Sequence, residues 1–430
     1  MTSVKTYRPG TMLLVALLAL TVLCSCINDD MAGCPEGTFH NDASYVVLKV
    51  GTLKPQSRAD ANTADRESIN SLRIILLNDQ GEVEYNHLSQ GDASAMPDGF
   101  IEAAKQYYII RTTAGPKKLF LIANEKSVEG LTDQIETASK SSDGVVDAIK
   151  KIYFTPNYDT QSNNIVLSSY YEFEVGPGDL GTEEEFRYNQ NSSKVRNFYL
   201  VHAATKFEFE FENLRENPIT IQSLTLNEIA NQMYLLPNFG SDGSLYPTTG
   251  AGCDFPKTVD GAQYEAKNWI DWLKGVCEDT NNNQVLPGNA SVNEKWGWIS
   301  DYNLPAGTEH QGKTLVAEPV IVPTGAKPTT LPIVYYPESK NIPEGQTDQK
   351  YTFSLTLKEG ENSEPIHFTD ISLTGENNGG VGNGNLKTLF RNTHVKVHVL
   401  MKGEDQEVTI QLRIGICPWD YGETNIPTFD

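Results

Sequence analysis

Short runs of alternating or continuous apolar residues recur along the chain, separated by clusters of Gly, Asn, Asp and Pro, which is the spacing of β-strands and turns. The clearest case is 206–212, where Phe207, Phe209 and Phe211 alternate with Lys206, Glu208, Glu210 and Glu212. That period of two predicts a strand with one face in a core and the other toward water. Residues 219–226 repeat it. In the N-terminal half, 45–50 predicts a first strand, and 69–77 with 82–85 predict a hairpin turning at Asn78-Asp79-Gln80-Gly81. Residues 107–112 and 118–123 flank Ala114-Gly115-Pro116 as a second strand–turn–strand unit, and 165–175 is strand again. Farther along, 316–322, 331–336, 351–357, 392–401 and 407–417 predict strands, the last with Val408, Ile410, Leu412, Ile414 and Ile416 on one face. That stripe either completes its own sandwich or enters a neighbour's groove. Two intervals have helical spacing. Within 131–152, Val145, Ile149 and Ile152 follow the helical period and Asp143 is placed to cap; within 264–277, Trp269, Trp272, Leu273 and Val276 form a stripe suited to packing on a sheet.

Strands far outnumber helices and no β–α–β alternation appears, so the expected class is mainly β: two consecutive antiparallel β-sandwiches with a few short helices, one over 45–195 and one over 196–430. A linker rich in Pro, Ser, Ala and Asp spans 53–67 and carries Arg58 and Arg66, where a protease would find accessible backbone.

The N-terminus reads as an export signal. Lys5 and Arg8 precede an uncharged apolar run over 12–24, too short to span ~30 Å of hydrocarbon, which needs about 20 residues. Leu23-Cys24-Ser25-Cys26 then resembles a lipobox, with small Ser25 before the acceptor. Cys24 would put Leu23 at the cleavage position, so Cys26 is the expected lipidated residue, after a signal peptide of 1–25. A polar tether of 26–44 follows. Its Asp29 and Asp30 resemble the surface-export signal of Bacteroidetes lipoproteins and equally suit a solvated tether.

Charge and cysteines narrow the picture. The 430 residues carry a formal charge of −22, which becomes −24 once Lys5 and Arg8 leave with the signal. Such a surface repels nucleic acid and anionic lipid, while 39% apolar residues and 19 Tyr are ample for a folded core. An exported chain meets an oxidising compartment, so Cys34, Cys253, Cys277 and Cys417 are permitted disulfides. Three pairings exist; Cys253 with Cys277 closes the shortest loop, and free buried thiols remain an equal alternative.

No constellation points to catalysis or to a cofactor. His394 and His398 share a strand face without a third ligand and read as edge residues. Residues 279–283 imitate the start of a calcium loop but have Gln284 where Gly is needed and Ala290 where Glu is needed. The Gly-rich stretch 376–385 has no Lys-Ser/Thr and opens no helix, so it is no phosphate cradle. The expectation is a protein that is not an enzyme, with no metal and no cofactor.

Several stretches together resemble the fimbrillin family, the subunits of Bacteroidetes type V pili. They are 69–83; the run Thr113-Ala114-Gly115-Pro116-Lys117-Lys118 leading through a β-run into Ala123-Asn124; Leu167-Ser168-Ser169-Tyr170; 201–209; 226–237; Phe390-Arg391-Asn392-Thr393-His394; and Ile416-Cys417-Pro418-Trp419. One departure is that 200–206 lacks the usual Arg before Ala. The resemblance implies two transthyretin-like sandwiches and a lipoprotein precursor. It also implies a cut after an arginine in the loop behind the first strand, here Arg58 with Arg66 second. Removal of that strand would open a groove for a neighbour's strand, making the partners other fimbrial subunits and the place a cell-surface fimbrium supporting adhesion at the outer membrane. Anchor subunits of that family keep the lipid and stay closed, and tip subunits lack a donated segment.

Two other classes stay open at this point. A surface glycan-binding lipoprotein of a polysaccharide-uptake system would use exposed aromatics such as Trp296 and Trp298. An exported hydrolase would carry a site without a recognisable motif.

Overall fold

The computed structural model describes residues 44–52, 66–90, 99–102, 107–158, 164–176, 195–238, 245, 258–259, 262–263, 302–316, 318–340, 351–360, 363–373, 389–403 and 408–418. The expected helix over 264–277 lies outside them.

The protein is built mainly of strands, as its alternation predicts. The first group is β1 (Ser44–Thr52), β2 (Ser71–Leu77), β3 (Val83–Gln90), β4 (Gly99–Glu102), β5 (Tyr107–Thr112), β6 (Gly115–Ala123), β7 (Tyr153–Phe154), β8 (Leu167–Val175) and β9 (Val195–His202). The order β3-β2-β6-β8-β9-β1-β5-β4 makes one eight-stranded sheet. Its waist is narrow, because β8 and β9 meet only through Leu167↔His202 and Ser168↔Val201. The two halves share one core: Val46, Leu48, Val50, Ile110, Phe198 and Leu200 from one side, Leu72, Ile74, Leu76, Leu119, Leu121 and Tyr171 from the other. β9 begins where the sequence suggests a division and gives its strand to this first sheet.

β2 is apolar without interruption because both of its faces are covered. Leu72, Ile74 and Leu76 enter the sandwich, while Ile75 and Leu77 join Phe120, Ile122 and Tyr170 under two short helices. These are α1 (Leu131–Ala138), burying Leu131, Ile135 and Ala138, and α2 (Val145–Ile149), burying Val145 and Ile149. The N-cap of α2 is Gly144 at φ 105°, and not Asp143 one residue earlier. Glycine at that conformation turns the chain and breaks the single helical interval in two.

The second group is β10 (Thr205–Asn213), β11 (Ile219–Ala230), β12 (Met233–Tyr234), β13 (Thr258–Val259), β14 (Ala262–Gln263), β15 (His310–Val316), β16 (Val320–Val322), β17 (Gly325–Thr330), β18 (Val334–Tyr336), β19 (Thr352–Glu359), β20 (Ile366–Ser372), β21 (Thr393–Lys402) and β22 (Thr409–Pro418). Two sheets, β17-β10-β21-β22 and β15-β11-β19-β20, form the second sandwich, with β18 also on β10 and β16 also on β11. Phe207, Phe209 and Phe211 face Phe353, Leu355 and Leu357 across its core. The stretch 316–322 is two strands, since β15 and β16 pair with opposite ends of β11. The last strand lies in its own sandwich: β22 pairs antiparallel with β21 over ten positions without a register shift, and Val408, Ile410 and Leu412 pack against the core. His394 and His398 stand on an interior strand and not on an edge, because β21 lies between β10 and β22.

Among the described residues two pairings are parallel, β1 with β9 and β10 with β21. Period-two alternation carries no strand direction, so these were not legible in advance. The ribbon of β7 with β12 links the two groups.

Candidate assembly site

The site begins with the seat of β1. On one side β1 pairs antiparallel with β5, from Ser44↔Thr112 to Lys49↔Tyr107. On the other it pairs parallel with β9, from Val47↔Val195 to Thr52↔Leu200. Val46, Leu48 and Val50 are 2%, 0% and 2% exposed and point into the core. The Ser44 hydroxyl donates to the Gly176 carbonyl at 3.2 Å. At ~1.5–3 kcal/mol per buried side chain, the three anchors contribute roughly 5–9 kcal/mol as an upper estimate. That is comparable to the ~5–15 kcal/mol net stability of a whole domain. β1 is therefore a slot-filling strand whose loss would leave two unpaired ladders and three empty pockets.

The linker behind β1 re-enters the described structure at Arg66. This arginine is 7% exposed, donates from Nη2 to the Tyr158 carbonyl at 2.9 Å, and lies 4.7 Å from the centroid of the Tyr335 ring. Beside it, Glu67 Oε1 accepts from Lys206 Nζ at 2.9 Å and from the Tyr335 hydroxyl at 2.8 Å. The Arg66 side chain is thus buried and engaged in the folded protein. The other sequence-derived candidates, Cys26, Arg58, Cys253 and Cys277, lie outside the described residues, as do 279–283, 376–385, Trp296 and Trp298.

The junction between the sandwiches is polar and buried. Arg391 and Glu338 are both 0% exposed and form a two-pronged ion pair, with Nε to Oε2 at 2.9 Å. Arg391 also donates to the carbonyls of Leu235 at 2.7 Å and Tyr234 at 2.6 Å, and reaches the Ser168 hydroxyl of β8 at 3.4 Å. Next to it Asn392, at φ 58°, donates its N–H to the Ala204 carbonyl at 2.8 Å and accepts the His202 N–H at 3.2 Å. Phe390-Arg391-Asn392-Thr393, singled out in the sequence as a family-like motif, is this clamp. Ala123-Asn124 is a second. Asn124 at φ 59° accepts the Asn70 N–H at 2.9 Å and donates to the carbonyls of Ser68 at 2.9 Å and Ile165 at 2.8 Å. Sequence reading missed Glu67, Lys206, Tyr335 and Glu338. A buried charge leaves no periodic signal, and only the structure supplies its partner.

On the outer face of β10 and β21, Glu208 Oε2 lies 3.0 Å from His394 Nε2 and 3.4 Å from Lys396 Nζ, and Glu212 lies 3.1 Å from His398 Nε2. Burial pushes the Glu208 carboxyl up, yet the hydrogen bond from His394 and the Lys396 charge overcome it and hold it at about 2. Burial also pushes the His394 imidazole down. Burial on this scale disfavours the charged imidazolium. No group of three or more His, Cys, Asp or Glu suited to a metal occurs among the described residues.

Residues 44–170 match the family model of the major fimbrial subunit protein (FimA), a span that opens on β1 and runs through the first group of strands into β8. Among solved structures, the chain is similar to the tip fimbrial protein Mfa3 of Porphyromonas gingivalis with a C-terminal truncation, at 14% identity over 88% of this chain and 100% of that one, TM-score 0.47. It is also similar to a fimbrilin (fimA) of Porphyromonas gingivalis W83, at 11% identity over 89% of this chain and 98% of that one, TM-score 0.43. At these values neither likeness carries an argument about function. No curated protein matches the chain in sequence. On the match over residues 44–170, the chain resembles the fimbrillin family of fimbrial subunits, as its own motifs imply.

Proposed function

We propose that this protein is a structural subunit of a cell-surface fimbria, exported as a lipoprotein on Cys26 and opened for assembly by a cut after Arg58. The observation that carries the reading is the placement of β1: a single N-terminal strand, held between β5 and β9, whose Val46, Leu48 and Val50 fill the first core. A strand followed by the linker at 53–65 is parted from the chain behind it by one cut there, and the slot it leaves accepts another strand of alternating apolar residues. Such a replacement restores main-chain bonds on both sides and refills the pockets, which is strand addition in its strongest form. In this reading the chain comprises a signal of 1–25, a tether of 26–44, an N-terminal sandwich closing with β9 and a C-terminal sandwich from β10 to β22. Partners are further fimbrial subunits, with adhesion as the outcome and the outer membrane reached through lipid. β22 pairs with β21 of its own sandwich.

The test is Arg58→Ala in the native host. The expected result is a folded, exported monomer with polymers lost, seen by electron microscopy of shed fimbriae. Polymers at wild-type length would overturn cleavage-gated assembly. Cys26→Ala should abolish labelling by a fatty-acid probe, and labelling that survives would remove the lipoprotein step.

A further inference from the structure

The pair Arg66–Glu67 lies just behind the linker that would be cut, and everything around it is arranged to hold it. The carbonyl of the Arg66–Glu67 bond accepts the Ile165 N–H at 2.9 Å. The guanidinium is fixed at the Tyr158 carbonyl and over the Tyr335 ring. The Glu67 carboxylate is bound by Lys206, itself 7% exposed, and by the Tyr335 hydroxyl. These partners come from both groups of strands: Tyr158 and Ile165 from the first, Lys206 and Tyr335 from the second.

A protease needs several residues around the scissile bond in an extended, unpaired form, and a bond whose carbonyl and both side chains are engaged is reached only by local opening. We propose that Arg66–Glu67 is a staple that protects its own peptide bond and so sets the C-terminal limit beyond which the N-terminal segment is not cut. The choice of Arg58 as the site that is cut rests on the reading above; the shielding of Arg66 does not. The staple also leaves the junction anchored by covalently continuous chain after β1 has gone. Cutting after Arg66 instead would separate the guanidinium from the carboxylate that shares its ring partner and free both.

The experiment treats the purified full chain with an arginine-specific protease and follows new N-termini by mass spectrometry. In the folded wild type the Arg66–Glu67 bond should be cut roughly 100-fold more slowly than in the urea-unfolded chain, since cleavage waits on opening. Glu67→Ala with Tyr335→Leu should restore cutting after Arg66 while near-ultraviolet circular dichroism still reports a packed core. Tyr335→Phe, which keeps the ring and loses only the hydroxyl, should lie between the two and guards against a double variant that fails to fold. Equal rates in folded and unfolded wild type would overturn the staple. So would continued resistance of a folded double variant. A chain that resists cutting after Arg58 but behaves as stated at Arg66 would count against the maturation reading alone.

Discussion

Arg391 closes a two-pronged ion pair on Glu338 with both side chains fully out of water, and its remaining N–H groups reach the carbonyls of Tyr234 and Leu235. The charge is neutralised once and the donors are satisfied several times over, which is the condition under which a buried ion pair is tolerated.

That arrangement sets the first expectation. Arg391→Met leaves Glu338 charged, buried and unpaired, so it should cost about 3–5 kcal/mol of stability by denaturant unfolding. Adding Glu338→Met should recover part of the loss, because the orphan charge is then gone. A double variant less stable than the single one would show that the pair is held for reasons other than mutual compensation.

Asn124 gives a second, with two separable effects. Its left-handed backbone disfavours most side chains, and its amide satisfies groups of Ser68, Asn70 and Ile165. Asn124→Gly keeps the conformation and loses the hydrogen bonds; Asn124→Ala loses both. The alanine variant should be less stable than the glycine variant by about 1 kcal/mol, with both below wild type. Equal losses would mean the backbone conformation carries no cost here.

Stability should fall as the medium is acidified, in two stages. Burial pushes the His202 and His394 imidazoles below their ordinary 6.5, so the unfolded chain binds more protons just below that value and stability is lost from about pH 6.5 downward. Glu208, held at about 2 against an ordinary 4.5, adds stability that is present above 4.5 and lost as pH falls toward 2. The neighbours on that face, Lys206, Lys396, Glu210, Glu212 and His398, stay unchanged in the test. His394→Gln should reduce the first stage, leaving the His202 share, and Glu208→Gln should flatten the second. Stability that rises between pH 7 and 5 would mean that burial does not hold the His202 and His394 imidazoles neutral.

Much of this fold was legible because the alternation that builds a sandwich is local. Phe207, Phe209 and Phe211 announce a strand and its buried face, and the Asn78–Gly81 turn announces a hairpin. What stayed hidden is nonlocal. The parallel partnership of β1 with β9 joins segments about 150 positions apart, and no residue in either names the other. Nothing in the polar linker around Arg66 announces the Tyr335 ring, which is brought beside its guanidinium from far along the chain. Likewise, His394 and His398 look like edge residues only while the position of β22 is unknown. Motif residues such as Asn124 and Arg391 were visible as a resemblance, but their work as clamps depends on partners that sequence cannot place.

The most direct measurement of the central claim is a reversible lock on β1. Val47 and Ile109 are register partners across β1 and β5, so Val47→Cys with Ile109→Cys places a disulfide between the removable strand and the body. After the arginine-specific cut, the oxidised variant should stay monomeric by light scattering and electron microscopy, and a reductant should release β1 and restore polymers to the level of the cut wild type. Polymers forming equally well with the disulfide intact would contradict the account, because assembly would then proceed with the slot still filled.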